Sequence, residues 1–209
     1  MNAILTPPNT PDLRRFPRLA AYLRDLPNGI ASYPTVQTKA SIYREALEDK
    51  PLVAASPFLP PELADLALRP RLVSTWVPTV HVQGLYLAVA DFYSMSFRDF
   101  ARWSFDCNRR LLNGPLYRML ASVASPTVLL QGATMKWSAI HRGTGLEVLR
   151  KPSGAEVRMT YPENLYVALN IAGFSGSFEA ILELSRAKFP RVDVLETTPT
   201  LARFTATWK

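Results

Sequence analysis

The sequence predicts an α+β fold: a helical N-terminal layer followed by a small, mainly antiparallel sheet covered by one long helix. Three observations carry this. Two alternating stretches, Thr144–Arg150 and Ala155–Tyr161, flank Lys151-Pro152-Ser153-Gly154, which has the composition of a turn. A second alternating pair, Arg191–Glu196 and Leu201–Trp208, closes the chain. Between the pairs, Glu163 to about Arg186 carries few charges and spaces Leu165, Leu169, Ala172, Phe174, Phe178, Ile181 and Leu182 as a helix does. Strands before and after one helix give an α+β layer.

Pro7, Pro8, Pro11, Pro17, Pro27 and Pro34 deny residues 1–35 much regular structure, because proline fixes φ and donates no hydrogen bond. They are expected to form a proline-rich arm, mobile or draped over a single domain at 36–209. Within the arm, Leu13, Phe16, Leu19, Ala20 and Leu23 share one apolar face, the mark of a short docking helix. Lys39–Asp49 is a helix stopped by Pro51, and Pro60-Pro61-Glu62 opens another, with proline where a missing N–H costs nothing. Leu72–Pro78 connects to Thr79–Tyr93, apolar nearly all round and so an interior helix; strand is the alternative for its β-branched part. Ser96–Asn113 is amphipathic, with Phe97, Phe100, Ala101, Ser104, Asn108, Leu111 and Leu112 on one face, Ser96 as N-cap and Gly114-Pro115 as stop. Pro115–Ser125 and Thr127–His141 continue as helices. In the strands, Val157, Met159 and Tyr161 alternate with Glu156, Arg158 and Thr160, so one sheet face is buried and the other solvated. Gly173, Ser175, Gly176 and Ser177 let the covering helix approach another backbone closely.

Bulk properties exclude several functions. The 209 residues suffice for one well-buried core. A single cysteine, Cys107, allows no internal disulfide and no cysteine-based zinc cage, and points to a reducing, cytoplasmic setting. The N-terminus lacks the basic start and apolar run of a secretory signal. Leu72–Ala90 has no charged residue, but Pro78, His81, Gln83 and Gly84 break its middle, so no membrane span is expected. The net charge of +7 is scattered, with no basic run longer than two and no basic–aromatic interleaving, which argues against a nucleic-acid partner.

Catalytic signatures are missing. Gly173-Phe174-Ser175-Gly176 places its second glycine one position early for a nucleophile elbow and lies within a helical pattern. Gly143-Thr144-Gly145 precedes a strand rather than the helix a phosphate loop requires. Asp91, Asp99 and Asp106 read as cap or solvent-face residues, and Cys107 as a buried structural thiol. His81 and His141 stand 60 residues apart, too weak a pattern for a metal pair. A half-buried histidine bonded to backbone explains His81, and a helix C-terminus explains His141. No enzymatic activity and no cofactor are expected.

Several phrases resemble the superfamily that joins vinyl-reductase-type ligand domains to haem–nitric-oxide-binding domains, and more closely a myxobacterial paralogous domain of unknown function. They run from Ser74-Thr75-Trp76-Val77-Pro78 through Trp137-Ser138-Ala139-Ile140-His141-Arg142-Gly143-Thr144-Gly145 to Gly173-Phe174-Ser175-Gly176-Ser177-Phe178 and Ala202-Arg203-Phe204-Thr205-Ala206-Thr207-Trp208. The resemblance covers about residues 36–209. It implies either a pocket between helices and sheet for a small apolar molecule, an acyl chain or haem, or an assembly module. The gas-sensing branch holds haem with a Tyr-x-Ser-x-Arg phrase and an axial histidine. Here Tyr93-Ser94-Met95-Ser96-Phe97-Arg98 sets the tyrosine one residue early, so a haem sensor ranks third.

The expected function is a non-enzymatic sensing module that binds a small hydrophobic ligand; the alternative is a protein-interaction or scaffold module forming a homodimer or a complex with a protein partner. A pocket is expected between the His81–Phe92 helix, the Phe97–Leu112 helix and the covering helix. Tyr86, Phe100, Trp103 and Trp137 would be its walls and His81 its polar anchor. The competing reading is that aromatics at helical spacing simply fill the core.

Overall fold

The structure, a computed structural model, describes residues 11–112, 125–185 and 187–209. Seven α-helices and seven strands lie among them: α1 Pro17–Asp25, β1 Gln37–Lys39, α2 Ala40–Asp49, α3 Pro61–Leu68, β2 Trp76–Pro78, α4 Thr79–Phe92, α5 Phe97–Leu112, α6 Pro126–Ile140, β3 His141–Arg142, β4 Gly145–Lys151, β5 Gly154–Thr160, α7 Ala168–Glu183, β6 Arg191–Thr197 and β7 Leu201–Thr207. The α+β order is as expected. Of the helix expected at Pro115–Ser125, only Ser125 lies among the described residues; its hydroxyl caps α6 by accepting from the Val128 N–H at 3.4 Å.

The four-stranded sheet runs β4-β5-β7-β6, antiparallel throughout. Pro152-Ser153 forms a two-residue loop, with Lys151 opposite Gly154. Gly154 has φ +151 and lies so close to β7 that a Cβ would overlap the Ala206 carbonyl oxygen. The inner face buries Ala155, Val157, Met159, Ala202, Phe204 and Ala206 under α7, as the alternation requires. The covering helix begins at Ala168 rather than Glu163, because Asn164 is in the left-handed region and the chain turns through Pro162–Asn164 first. Asn170 then accepts from the Val167 N–H at 3.1 Å, closing the first turn.

A second sheet, β2-β1-β3, was not legible as strands: its members are two or three residues long and pair only through tertiary contact. Thr38 lies opposite Val77 on one side and His141 on the other. Both β1 and β2 run directly into helices, α2 and α4.

The expected arm contributes to the core from Phe16 onward. Phe16, Leu19 and Tyr22 are buried, and α1 packs on α4. Pro17 sits in the first turn of α1, where it stops nothing. The Asp91 carboxylate accepts from the Arg18 and Leu19 N–H groups at 2.9 and 3.2 Å, so this residue caps α1 instead of facing solvent. Tyr22 donates its hydroxyl to the Leu165 carbonyl at 3.0 Å. One continuous core therefore joins Phe16 to Ala206.

Helix α5 lies along α7, its most extensive helix partner among the described residues. A Cβ on Gly176 would overlap the Ala101 carbonyl oxygen, and one on Gly173 would come 2.7 Å from the Phe100 ring. The glycines thus set the backbone separation. The buried face of α5 is Phe100, Trp103, Phe105 and Cys107, whereas Phe97, expected inside, is 52% exposed in the first turn. Ser96 caps α5 in a reciprocal box with Asp99: the Asp99 N–H donates to the Ser96 hydroxyl and the Ser96 N–H to the Asp99 carboxylate.

Candidate functional site

The five expected site residues fall into three places. Tyr86 on α4 and Phe100 and Trp103 on α5 meet as one cluster, with ring centroids 5.4 to 6.5 Å apart. Their polar atoms are satisfied by the protein: the Tyr86 hydroxyl donates to the Ile42 carbonyl at 3.1 Å, and the Trp103 indole N–H to Asp49 at 2.9 Å. Phe100 is buried with its ring against Gly173. This part of the anticipated pocket is packed core.

His81 faces elsewhere. It is half-buried beside the Ile30 backbone and Glu62, and burial lowers its pKa. That places it near α3 and the loop after α1, not with the three aromatics.

Trp137 belongs to a second aromatic group at the junction of α6, the sheet and α7. It stacks on His141 at 4.0 Å between centroids and approaches Phe174 at 6.1 Å. Tyr166 meets Phe174 edge-on at 5.0 Å and Tyr161 at 4.8 Å. The Trp137 indole N–H donates to the Thr144 hydroxyl at 3.0 Å. His141 is the C-cap of α6 and at the same time a strand residue, φ −132 and ψ 137. It is buried, its Nδ1 lies 3.2 Å from the Thr38 hydroxyl, and burial pushes its pKa down to about 3. The histidine expected at a helix C-terminus is therefore enclosed in the interior, because the chain enters β3 at that residue, and burial disfavours its charged form.

Sequence reasoning missed Tyr166. Its side chain is buried, and its hydroxyl has no hydrogen-bond partner among the described residues. The Thr144 hydroxyl is a near neighbour that does not meet hydrogen-bond geometry with it. Burial raises the tyrosine pKa, keeping it a neutral donor. A buried hydroxyl without a partner costs about 1–3 kcal/mol. Phe174 and Thr144, on either side, are half-buried, so this group borders the surface. In sequence, Tyr166 looks like any other residue near the start of the expected Glu163–Arg186 helix.

The outer face of the sheet departs from simple alternation. Glu156 points outward yet is 5% exposed. Its Oε1 accepts from Arg158 Nε at 2.8 Å and Arg203 Nε at 2.9 Å, and Lys151 Nζ lies 3.3 Å from Oε2. These cations hold its carboxyl down to about 2. Beside it runs a groove of about 560 Å³, bordered by Glu147, Arg158, Thr160, Glu196, Leu201 and Arg203.

Other reactive types are quiet. Burial pushes the Cys107 thiol up to about 12, and Arg110 donates to its sulfur at 3.2 Å, so the nucleophilic thiolate is scarce. No cluster of three metal-ligating side chains occurs among the described residues, and none of their helices is long and apolar enough to cross a membrane.

No protein-family model matches the sequence, and neither does any curated protein. Solved structures do match. An oxygen-binding H-NOX domain related to soluble guanylate cyclases, in its oxygen complex, aligns over 81% of this chain and 92% of its own, at 10% identity and TM-score 0.54. An unliganded Fe(II) H-NOX protein variant from K. algicida aligns over 82% and 96%, at 13% identity and 0.52. A Cs H-NOX variant carrying 4-cyano-L-phenylalanine aligns over 82% and 96%, at 10% and 0.55. The fold is H-NOX-like. That likeness concerns architecture alone.

Haem, which this fold implies, does not fit the residues present. The chain has two histidines: His141 is enclosed between Thr38 and Trp137, and His81 lies on a different side of α4 from the aromatics. Tyr93 donates its hydroxyl to the Pro51 carbonyl at 3.0 Å, and Ser94 adopts a left-handed turn. Helices α5 and α7 are in backbone contact.

Proposed function

We propose that this protein is a haem-free, non-enzymatic sensing module that holds a small, neutral, largely apolar molecule against the Trp137–Tyr166–Phe174 group. We place it, within the H-NOX-like fold, nearest the vinyl-reductase-type and myxobacterial paralogous domains. The observation that supports the reading is the unpartnered Tyr166 hydroxyl within an aromatic wall. Ligand sites combine apolar walls with few polar groups, and a buried neutral donor selects an acceptor oxygen. The neighbours support a ligand role by analogy, since one binds oxygen and another carries Fe(II). The quiet Cys107 and His141 support a role without catalysis.

Native mass spectrometry of freshly purified full-length protein tests this. The expected result is a noncovalent adduct of small mass, or a thermal stabilisation by apolar carbonyl compounds that disappears in Tyr166→Phe, because a ligand specific to the folded state raises stability. A bare chain mass with no response to such compounds would refute it. Added haem is expected to give no bound Soret band.

The interaction-module alternative keeps one supporting observation. Phe189, Val194 and Leu195, at and before the edge strand β6, are exposed at 81%, 42% and 54%. If they mediate assembly, light scattering will show mass rising with concentration, and Phe189→Ser will abolish the rise.

A further inference from the structure

We propose that the groove on the outer face of the sheet is an anion-binding site, which recognises the carboxylate or phosphate of a small molecule through Arg158 and Arg203. The register puts these two arginines directly opposite each other on β5 and β7. Like charges in opposed positions repel and ordinarily destabilise a sheet. Here Glu156 lies between them and takes both Nε–H groups on a single oxygen. That contact fixes the roll of each guanidinium, so two planar forks stand side by side at the groove.

The remaining donors are unequally engaged. Arg203 gives Nη1 to Glu196 at 2.9 Å. Nothing among the described residues accepts from Arg158 Nη1 or Nη2. Arg158 therefore supplies the open fork, and Arg203 a second one that must release Glu196. The three cations Lys151, Arg158 and Arg203 are matched by three carboxylates: Glu156, which they share, Glu147 opposite Arg158, and Glu196 opposite Arg203. Glu147 and Glu196 border the groove as competing anions.

The shape agrees with this chemistry. About 560 Å³ is room for a metabolite-sized molecule. At the β4 end, Gly145 keeps the floor clear, since a Cβ there would come 2.5 Å from the Thr160 hydroxyl. Thr160 can then bond a second polar group of the ligand, and Leu201 offers an apolar wall. This site is on the opposite side of the sheet from α7 and does not depend on the aromatic one.

Titration of the full chain with inorganic phosphate, and separately with succinate, at constant ionic strength set by chloride, tests the proposal. The readout is amide chemical shifts of β4, β5 and β7 together with Tm. Saturable shifts at Gly145, Arg158, Thr160 and Arg203 are expected with at least one anion, and which one responds distinguishes phosphate from carboxylate. Arg158→Gln should weaken binding about tenfold or more, the worth of a charge-assisted pair. Glu147→Gln and Glu196→Gln should strengthen it severalfold by removing competitors. These side chains are at the surface, so their exchange leaves the core intact. Non-saturating shifts, or equal binding by wild type and Arg158→Gln, would overturn the site and reveal general attraction to a basic surface.

Discussion

The two aromatic groups have similar composition and opposite character. Tyr86, Phe100 and Trp103 lock α4 against α5, and every polar atom they bury reaches a protein partner. Trp137, His141, Tyr166 and Phe174 sit where α6, α7 and the sheet meet, with Phe174 half-buried and one hydroxyl left over. A core tolerates aromatic rings when their N–H and O–H groups are answered from within. The second group leaves one, the Tyr166 hydroxyl, unanswered.

Four measurements test that contrast. Trp103→Ala should cost about 3–5 kcal/mol in chemical denaturation, as a large core truncation does. It also removes the donor to Asp49. A loss below about 1 kcal/mol would move Trp103 out of the core.

The second uses pH. His141 has a folded pKa of about 3, below its ordinary 6.5, so the folded state rejects a proton that the unfolded state accepts. The folded state is therefore favoured above pH 6.5, and stability falls as pH drops from there towards 3. Between pH 6.5 and 5 the loss is about 2 kcal/mol. His81 is shifted in the same direction and adds to the slope. Comparing wild type with His141→Gln isolates His141; parallel pH profiles would show that its burial is not maintained.

The third pairs two hydroxyl deletions. Tyr86→Phe removes the bond to the Ile42 carbonyl and should cost about 1 kcal/mol. Tyr166→Phe should be neutral or slightly stabilising without ligand, because no protein partner is lost. Equal losses would erase the distinction between the groups. A small effect is also expected at Arg102, whose pair with Asp106 at 3.2 Å is largely exposed: Arg102→Ala should change stability by under about 1 kcal/mol.

How much of this was legible varied by element. The hairpin β4–β5 and the pair β6–β7 were readable to within a residue or two from their two-residue alternation, but the bulge between Val194 and Glu196 that shifts the β6–β7 register was not. Helices α2, α3, α4 and α5 were readable from apolar spacing and from the prolines that start or stop them. The close approach of α7 was implied by Gly173 and Gly176, though not its partner. Of the site, Trp137 was legible as an aromatic of interest; Tyr166 was not, since nothing in a sequence marks a hydroxyl that will lack a partner.

The sequence by itself determined the α+β order, the sheet with one buried face, and the absence of a recognisable catalytic signature. These follow from local periodicity and side-chain chemistry, which act within a few residues. Long-range packing instead brings residues from Phe16 onward into the core, pairs β1, β2 and β3 as a sheet, and encloses His141. It alone decided that Arg158 and Arg203 share Glu156 across a strand boundary. Each of these depends on contacts between residues tens of positions apart, whose free energy comes from burial and pairing that no local stretch contains.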